Sequence, residues 1–109
     1  MTKTVLTVDD SRTMRDMLLL ALEGAGYTVI QAVDGVDGLE TLAAKGADVV
    51  ITDLNMPRMD GFGFIEAVRN QDKHRATPIL VLTTESAPEL KARARAAGAT
   101  GWIVKPFDP

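Results

Sequence analysis

Val49-Val50-Ile51-Thr52-Asp53-Leu54-Asn55-Met56-Pro57-Arg58-Met59-Asp60-Gly61 is a short apolar run that ends abruptly on a carboxylate and a turn. The run is continuous rather than alternating, the pattern of a parallel strand covered on both faces. Beyond the turn, Asp60 is placed to cap a helix whose inward edge is set by Phe62, Ile65 and Val68 or Arg69. Four further β-branched runs repeat the pattern on either side: Thr4–Val8, Thr28–Ala32, Pro78–Thr83 and Gly101–Val104.

Segments of helical period separate these runs. Met14, Met17, Leu18, Ala21 and Ala25 mark one face of the first, which Gly24 and Gly26 end. Asp34 caps a second, with an inward stripe of Val36, Leu39 and Ala43. Ser86-Ala87-Pro88-Glu89 reads as a capping box with proline in the first turn; Ala92, Ala96 and Ala97 follow, and Gly98 stops the helix. Strand and helix in alternation imply a parallel sheet with right-handed crossovers, a small open α/β sandwich. Strand order does not follow from this pattern. The chain closes on Lys105-Pro106-Phe107-Asp108-Pro109, and Asp-Pro is a good N-cap followed by a good first helical residue. The expectation is one domain over residues 1–109, truncated before a fifth helix. Helices two to four then share one face, the first covers the other alone, and apolar sheet surface is left exposed.

Bulk properties narrow the function. A chain of 109 residues with 46% hydrophobic and 25% charged residues is an ordinary globular domain. Its net charge is −3 and no basic stripe interleaves with aromatics, which argues against nucleic acid as a partner. No cysteine is present, so disulfide and thiolate chemistry are excluded. No run approaches the roughly 20 apolar residues that span a membrane, and the N-terminus lacks a signal-peptide pattern. A cytoplasmic location is expected.

The chemistry sits at the strand ends. Asp9 and Asp10 follow the first run, Asp53 the third, Thr83 ends the fourth, and Lys105 follows the fifth. In an open parallel sheet, ligands bind beyond the carboxyl ends of the strands, so these groups converge. Alone, an acidic pair is a solvated loop or a cap, and Thr83 and Lys105 are ordinary strand-end residues. Together, three carboxylates repel one another unless a cation neutralises them. Mg²⁺ suits such a site because it takes oxygen ligands, often one or two carboxylates plus phosphate. A carboxylate can also accept a phosphoryl group as an acyl phosphate, and a hydroxyl and an ammonium can bind its oxygens.

With these groups in this order, the chain resembles a response-regulator receiver domain over nearly its whole length. Val-Asp-Asp-Ser at 8–11, Asp-Leu-Asn-Met-Pro-Arg-Met-Asp-Gly at 53–61, Leu-Thr-Thr-Glu at 82–85 and Lys-Pro-Phe at 105–107 match its motifs in order. The resemblance implies a flavodoxin-like five-stranded parallel sheet of order 2-1-3-4-5 with helices on both faces. It implies Asp53 as phospho-acceptor, and Mg²⁺ held by Asp9, Asp10, Asp53 and the main-chain carbonyl of Asn55. Thr83 and Lys105 would contact the phosphoryl oxygens, while Asn55 and Glu85 occupy positions that tune acyl-phosphate lifetime. Trp102 stands where the family usually has Tyr or Phe, an aromatic that turns inward as the threonine moves; the alternative is a half-exposed packing residue. Lys105-Pro106 would be a cis bond. The implied partners are a sensor histidine kinase as phosphodonor and a downstream protein target. Asp-Asp-Ser-Arg-Thr-Met-Arg and Gly-Trp-Ile-Val-Lys-Pro-Phe most resemble stand-alone chemotaxis regulators, whose targets include the flagellar motor switch. A receiver cut from a larger transcriptional regulator or hybrid kinase would carry the same motifs.

The rival class is a phosphohydrolase of the haloacid-dehalogenase type, which also uses a strand-end aspartate. Such enzymes generally place a general-acid aspartate two residues later. Here that position is Asn55, which favours slow self-dephosphorylation over turnover of outside substrates. Elsewhere the residues read as structure: His74 as a solvated loop residue, Arg93 and Arg95 as a solvent face, and Met14 and Met17 as core or core edge.

Overall fold

The computed structural model describes residues 2–105. Five strands, β1 (Thr4–Val8), β2 (Thr28–Ala32), β3 (Val49–Thr52), β4 (Ile79–Thr83) and β5 (Gly101–Val104), alternate with four helices. The helices are α1 (Arg12–Gly24), α2 (Gly35–Lys45), α3 (Gly61–Arg69) and α4 (Pro88–Ala97), and a 3₁₀ turn covers Asp72–His74. All strand pairs are parallel and the order is β2-β1-β3-β4-β5. Pro78 lies just outside β4: it has no N–H for the ladder, although its carbonyl still accepts from Val50 at 2.9 Å.

β1 is an interior strand and nearly continuous in apolar character because both of its faces are covered. Leu6, Val8, Val50, Ile79 and Val81 pack with Leu42 of α2, Phe62, Phe64, Ile65 and Val68 of α3, and Ala94 of α4. Their alternates, Val5 and Leu82, are buried outside that cluster, as is Leu18 of α1. Helix α1 touches β1 and β2, while α2, α3 and α4 pack in sequence on one another. The expected division of helices between faces is therefore present. Among the described residues, Ile103 is 42% exposed, Met17 39% and Leu20 75%.

Several helix faces differ from expectation. In α1, Leu18 is buried, but Met17 and Ala25 are exposed. In α2 the buried positions are Gly35, Gly38 and Leu42, and Ala43 faces solvent. The helix is rotated because its glycines let the backbone approach the core; a Cβ on Gly38 would lie 2.8 Å from the Phe64 ring. In α4 the N-cap is Ala87, with no side-chain cap, and Pro88 is the first helical residue. Ser86 sits one position too early to cap. Ala94 is buried there, Leu90 and Ala97 pack against the core, and Ala92 and Ala96 are exposed. Asp34 and Asp60 do cap α2 and α3, accepting from the N–H groups of Asp37 and Gly63. Gly98 ends α4 with φ 119°, a left-handed conformation that side-chain-bearing residues rarely adopt.

His74 is a correction of a different kind. It is only 6% exposed, with Nδ1 2.9 Å from Thr77 Oγ1, because the 3₁₀ turn folds the ring back onto the segment that leads into β4. Arg69 fastens the same end of the molecule. Its guanidinium donates to the carbonyls of Gly98, His74 and Thr77.

Candidate functional site

Because β1, β3, β4 and β5 are consecutive in the sheet, their carboxyl ends form one row. Asp9 follows β1 and Asp53 follows β3, and the backbone ties both to the sheet: Asp53 N–H donates to Val8 at 3.0 Å and Asp9 N–H to Ala32 at 3.2 Å. Lys105 N–H donates to the Thr83 carbonyl at 2.6 Å, which fixes the end of β5 against β4. The sheet thus brings together residues separated by up to 96 positions.

Lys105 is the junction. Its Nζ lies 3.0 Å from Asp9 Oδ2 and 3.2 Å from Asp53 Oδ2. Asp9 is buried, and its Oδ1 accepts the Ser11 N–H at 2.9 Å. Asp53 keeps 12% of its side chain exposed, and its Oδ1 accepts the Leu54 N–H at 2.7 Å. Asp10 is exposed. One carboxylate oxygen from each of Asp9, Asp10 and Asp53 can be chosen so that all three lie within 4.8 Å of one another.

Burial pushes the Asp9 carboxyl up, against the Ser11 N–H and the Lys105 ammonium, which both lower it. An ion pair alone would lower this acid; desolvation wins. Burial also works against the Lys105 ammonium, yet the Asp9 and Asp53 carboxylates outweigh it and hold the lysine above its ordinary value. In formal charge, three carboxyl groups face one ammonium, and the surplus is negative. Such a site fits a hard divalent cation: Mg²⁺ binds oxygens at about 2.0–2.1 Å and keeps several waters, which suits a cluster of this span.

The remaining predicted residues surround this centre without joining it directly. Thr83 is fully buried, and its Oγ1 accepts the Glu85 N–H at 3.3 Å rather than bonding to an acid. Asn55 is exposed two residues past Asp53. Trp102 is half-buried against the core, and its Nε1 donates to the Glu85 carbonyl at 3.1 Å. The anticipated cis bond at Lys105-Pro106 lies outside the described residues. Three contributors were not foreseen. Arg15 donates to the Asp9 carbonyl at 2.7 Å; Ser11 both bonds Asp9 and caps α1. Gly61 packs against the Asp53 carbonyl, and a Cβ there would also lie 2.8 Å from Leu54 Cα. The Asp-x-Ser spacing signalled the second of these; the others are tertiary.

The geometry agrees with comparisons to known proteins. The response regulator receiver domain profile matches residues 5–109. The chain is 40% identical over 107 residues to chemotaxis protein CheY1 of Helicobacter pylori, covering 96% of this chain and 86% of that protein. It is 32% identical over 103 residues to Protein PilG of Pseudomonas aeruginosa, covering 94% and 76%. Chemotaxis protein CheY4 of Vibrio cholerae has a structure that superposes with a TM-score of 0.97 at 50% identity, covering 100% of this chain and 91% of that one. The chain belongs to the response regulator receiver domain family.

Proposed function

We propose that this domain is a phosphorylation-gated signalling module in which Asp53 accepts a phosphoryl group in a Mg²⁺-dependent reaction. The observation that carries the reading is the shared Lys105 ammonium, 3.0 Å from Asp9 and 3.2 Å from Asp53, beside a three-carboxylate cluster. Asp9, Asp10, Asp53 and the Asn55 carbonyl would hold the ion, whose charge offsets that of the incoming phosphoryl oxygens. An Asp53 carboxylate oxygen attacks phosphorus in line; the new P–O bond forms as the bond from phosphorus to the donor nitrogen of a phosphohistidine breaks. Lys105 is already in place to pair with the product, and Thr83 reaches it once its hydroxyl leaves the Glu85 N–H.

That displacement links charge to shape. Thr83 and Trp102 both hold the segment at Glu85, one through its N–H and one through its carbonyl. Drawing Thr83 toward phosphate therefore biases the β4–α4 segment and the surface of α4 and β5, which is where a target would sense the change. Asn55 and Glu85 flank the acyl phosphate and set its lifetime. The phosphodonor is a histidine kinase and the setting chemotaxis, a reading supported by the chemotaxis proteins among its relatives. Asn55 cannot serve as the general acid that turnover of outside substrates would need. Incubation with Mg²⁺ and acetyl phosphate tests this by intact mass. One added phosphoryl group is expected on the native chain and none on Asp53→Asn; equal labelling of both would overturn the assignment.

A further inference from the structure

The loop from Asp53 to Gly61 is closed at its base by the Gly61 N–H donating to the Leu54 carbonyl at 2.8 Å. At its tip, the Met59 N–H donates to the Pro57 carbonyl at 2.7 Å across Arg58, whose φ is 66°. This is a tight three-residue turn with a non-glycine residue at positive φ, a strained arrangement that persists only where its surroundings hold it. Among the described residues, Arg58 is the single non-glycine of this kind. Its surroundings do hold it: Nε and Nη2 grip the two Asp34 oxygens at 2.7 and 3.0 Å, a fork-on-fork pair. Asp34 is buried and simultaneously caps α2 through the Asp37 N–H. Gly35 lies directly against Met59, where a Cβ would come 2.8 Å from the Met59 carbonyl oxygen.

We infer that Arg58 is a positioning residue for the phosphorylation site: clamped on Asp34, it fixes the loop that presents Asn55 beside the Asp53 carboxylate. The inference rests on the proposed function, because Asn55 and Asp53 matter together only if they share a cation. Physically, the loop has one covalent anchor at each end and a strained turn between them. Without the clamp, the turn relaxes toward negative φ, and Asn55, exposed in the same loop, loses the backbone position from which its carbonyl would meet the cation. Groups one step removed from a metal typically change its affinity by about ten- to a hundredfold, and the clamp acts one step further out. An effect of about tenfold on Mg²⁺ affinity, with a parallel slowing of labelling, is expected.

Two variants isolate the clamp. Arg58→Gly adopts positive φ without strain but cannot pair; Asp34→Asn keeps a competent N-cap but removes the charge. Mg²⁺ affinity by titration calorimetry and labelling by acetyl phosphate are measured on each and on the double variant, with urea midpoints as a check on folding. The clamp predicts about a tenfold weaker Mg²⁺ dissociation constant in either single variant, and no further loss in the double. Native affinity and labelling rate in both folded single variants would overturn it, as would losses that simply add. Failure of the native chain itself to bind Mg²⁺ or become labelled would instead sink the proposed function, and this inference with it.

Discussion

Replacing Lys105 with methionine removes the one ammonium between Asp9 and Asp53 while keeping most of the side-chain volume. The carboxylate oxygens then face one another at separations up to 4.8 Å, where each like pair costs about 3 kcal/mol at an effective dielectric near 20. The cost has a ceiling. An aspartate with an ordinary pKa near 3.8 escapes repulsion by taking a proton, which near pH 7 costs about 4 kcal/mol. With Lys105 itself 11% exposed, we expect Lys105→Met to lose about 2–4 kcal/mol in metal-free buffer near pH 7. That is a urea midpoint lower by about 1–2 M for a domain of this size. Acid should narrow the difference. The Asp9 carboxyl is already raised by burial against the lowering effect of Lys105, so without the lysine it moves further up, and the folded variant takes up the proton earlier and gains relatively more stability as pH falls. Near pH 5 the ceiling falls to about 1.6 kcal/mol, and the two urea curves should approach each other. Mg²⁺ should close the gap from the other direction, because a bound cation stabilises each chain according to its affinity and the site without the ammonium binds the cation more tightly. A variant as stable as the native chain without metal, or a gap that widens in acid, would refute the electrostatic account of the site.

Three further outcomes follow from particular residues. Thr7 Oγ1 is buried with no hydrogen-bond partner among the described residues, so Thr7→Val should gain about 1 kcal/mol and raise the thermal midpoint by about 4 °C or more; an unchanged or lower midpoint would show the hydroxyl to be satisfied. Burial, then Lys73 and Arg69, lower the His74 pKa, so its neutral form contributes stability above its unfolded pKa of about 6.5 that is lost as pH falls below it. NMR titration of this single histidine reads that pKa directly, and an ordinary or raised value would contradict its burial. Gly61→Ala should cost about 1–3 kcal/mol by overpacking and slow the labelling of Asp53, because the new methyl meets the Asp53 carbonyl and Leu54 Cα; native labelling would show that the loop yields freely.

The strands were legible as continuous β-branched runs: Val49–Thr52 and Thr4–Val8 leave little room for another reading. The converging acids and lysine were legible because each follows such a run directly. Helix faces were read less well. Ala43 looked inward only because alanine carries no directional signal; the true seam of α2 runs through Gly38 and that of α4 through Ala94. His74 gave no warning in a polar stretch, since its burial depends on a local turn and on Thr77. The Arg58–Asp34 pair spans 24 positions and could not be read from either end.

Locating the phosphoryl group tests the central claim most directly. After reaction with Mg²⁺ and acetyl phosphate, borohydride reduces an aspartyl phosphate to homoserine, and peptide mass spectrometry reports the residue changed. Homoserine is expected at position 53 alone, and none after Mg²⁺ is chelated. Modification at another aspartate, or metal-independent modification of Asp53, would contradict it.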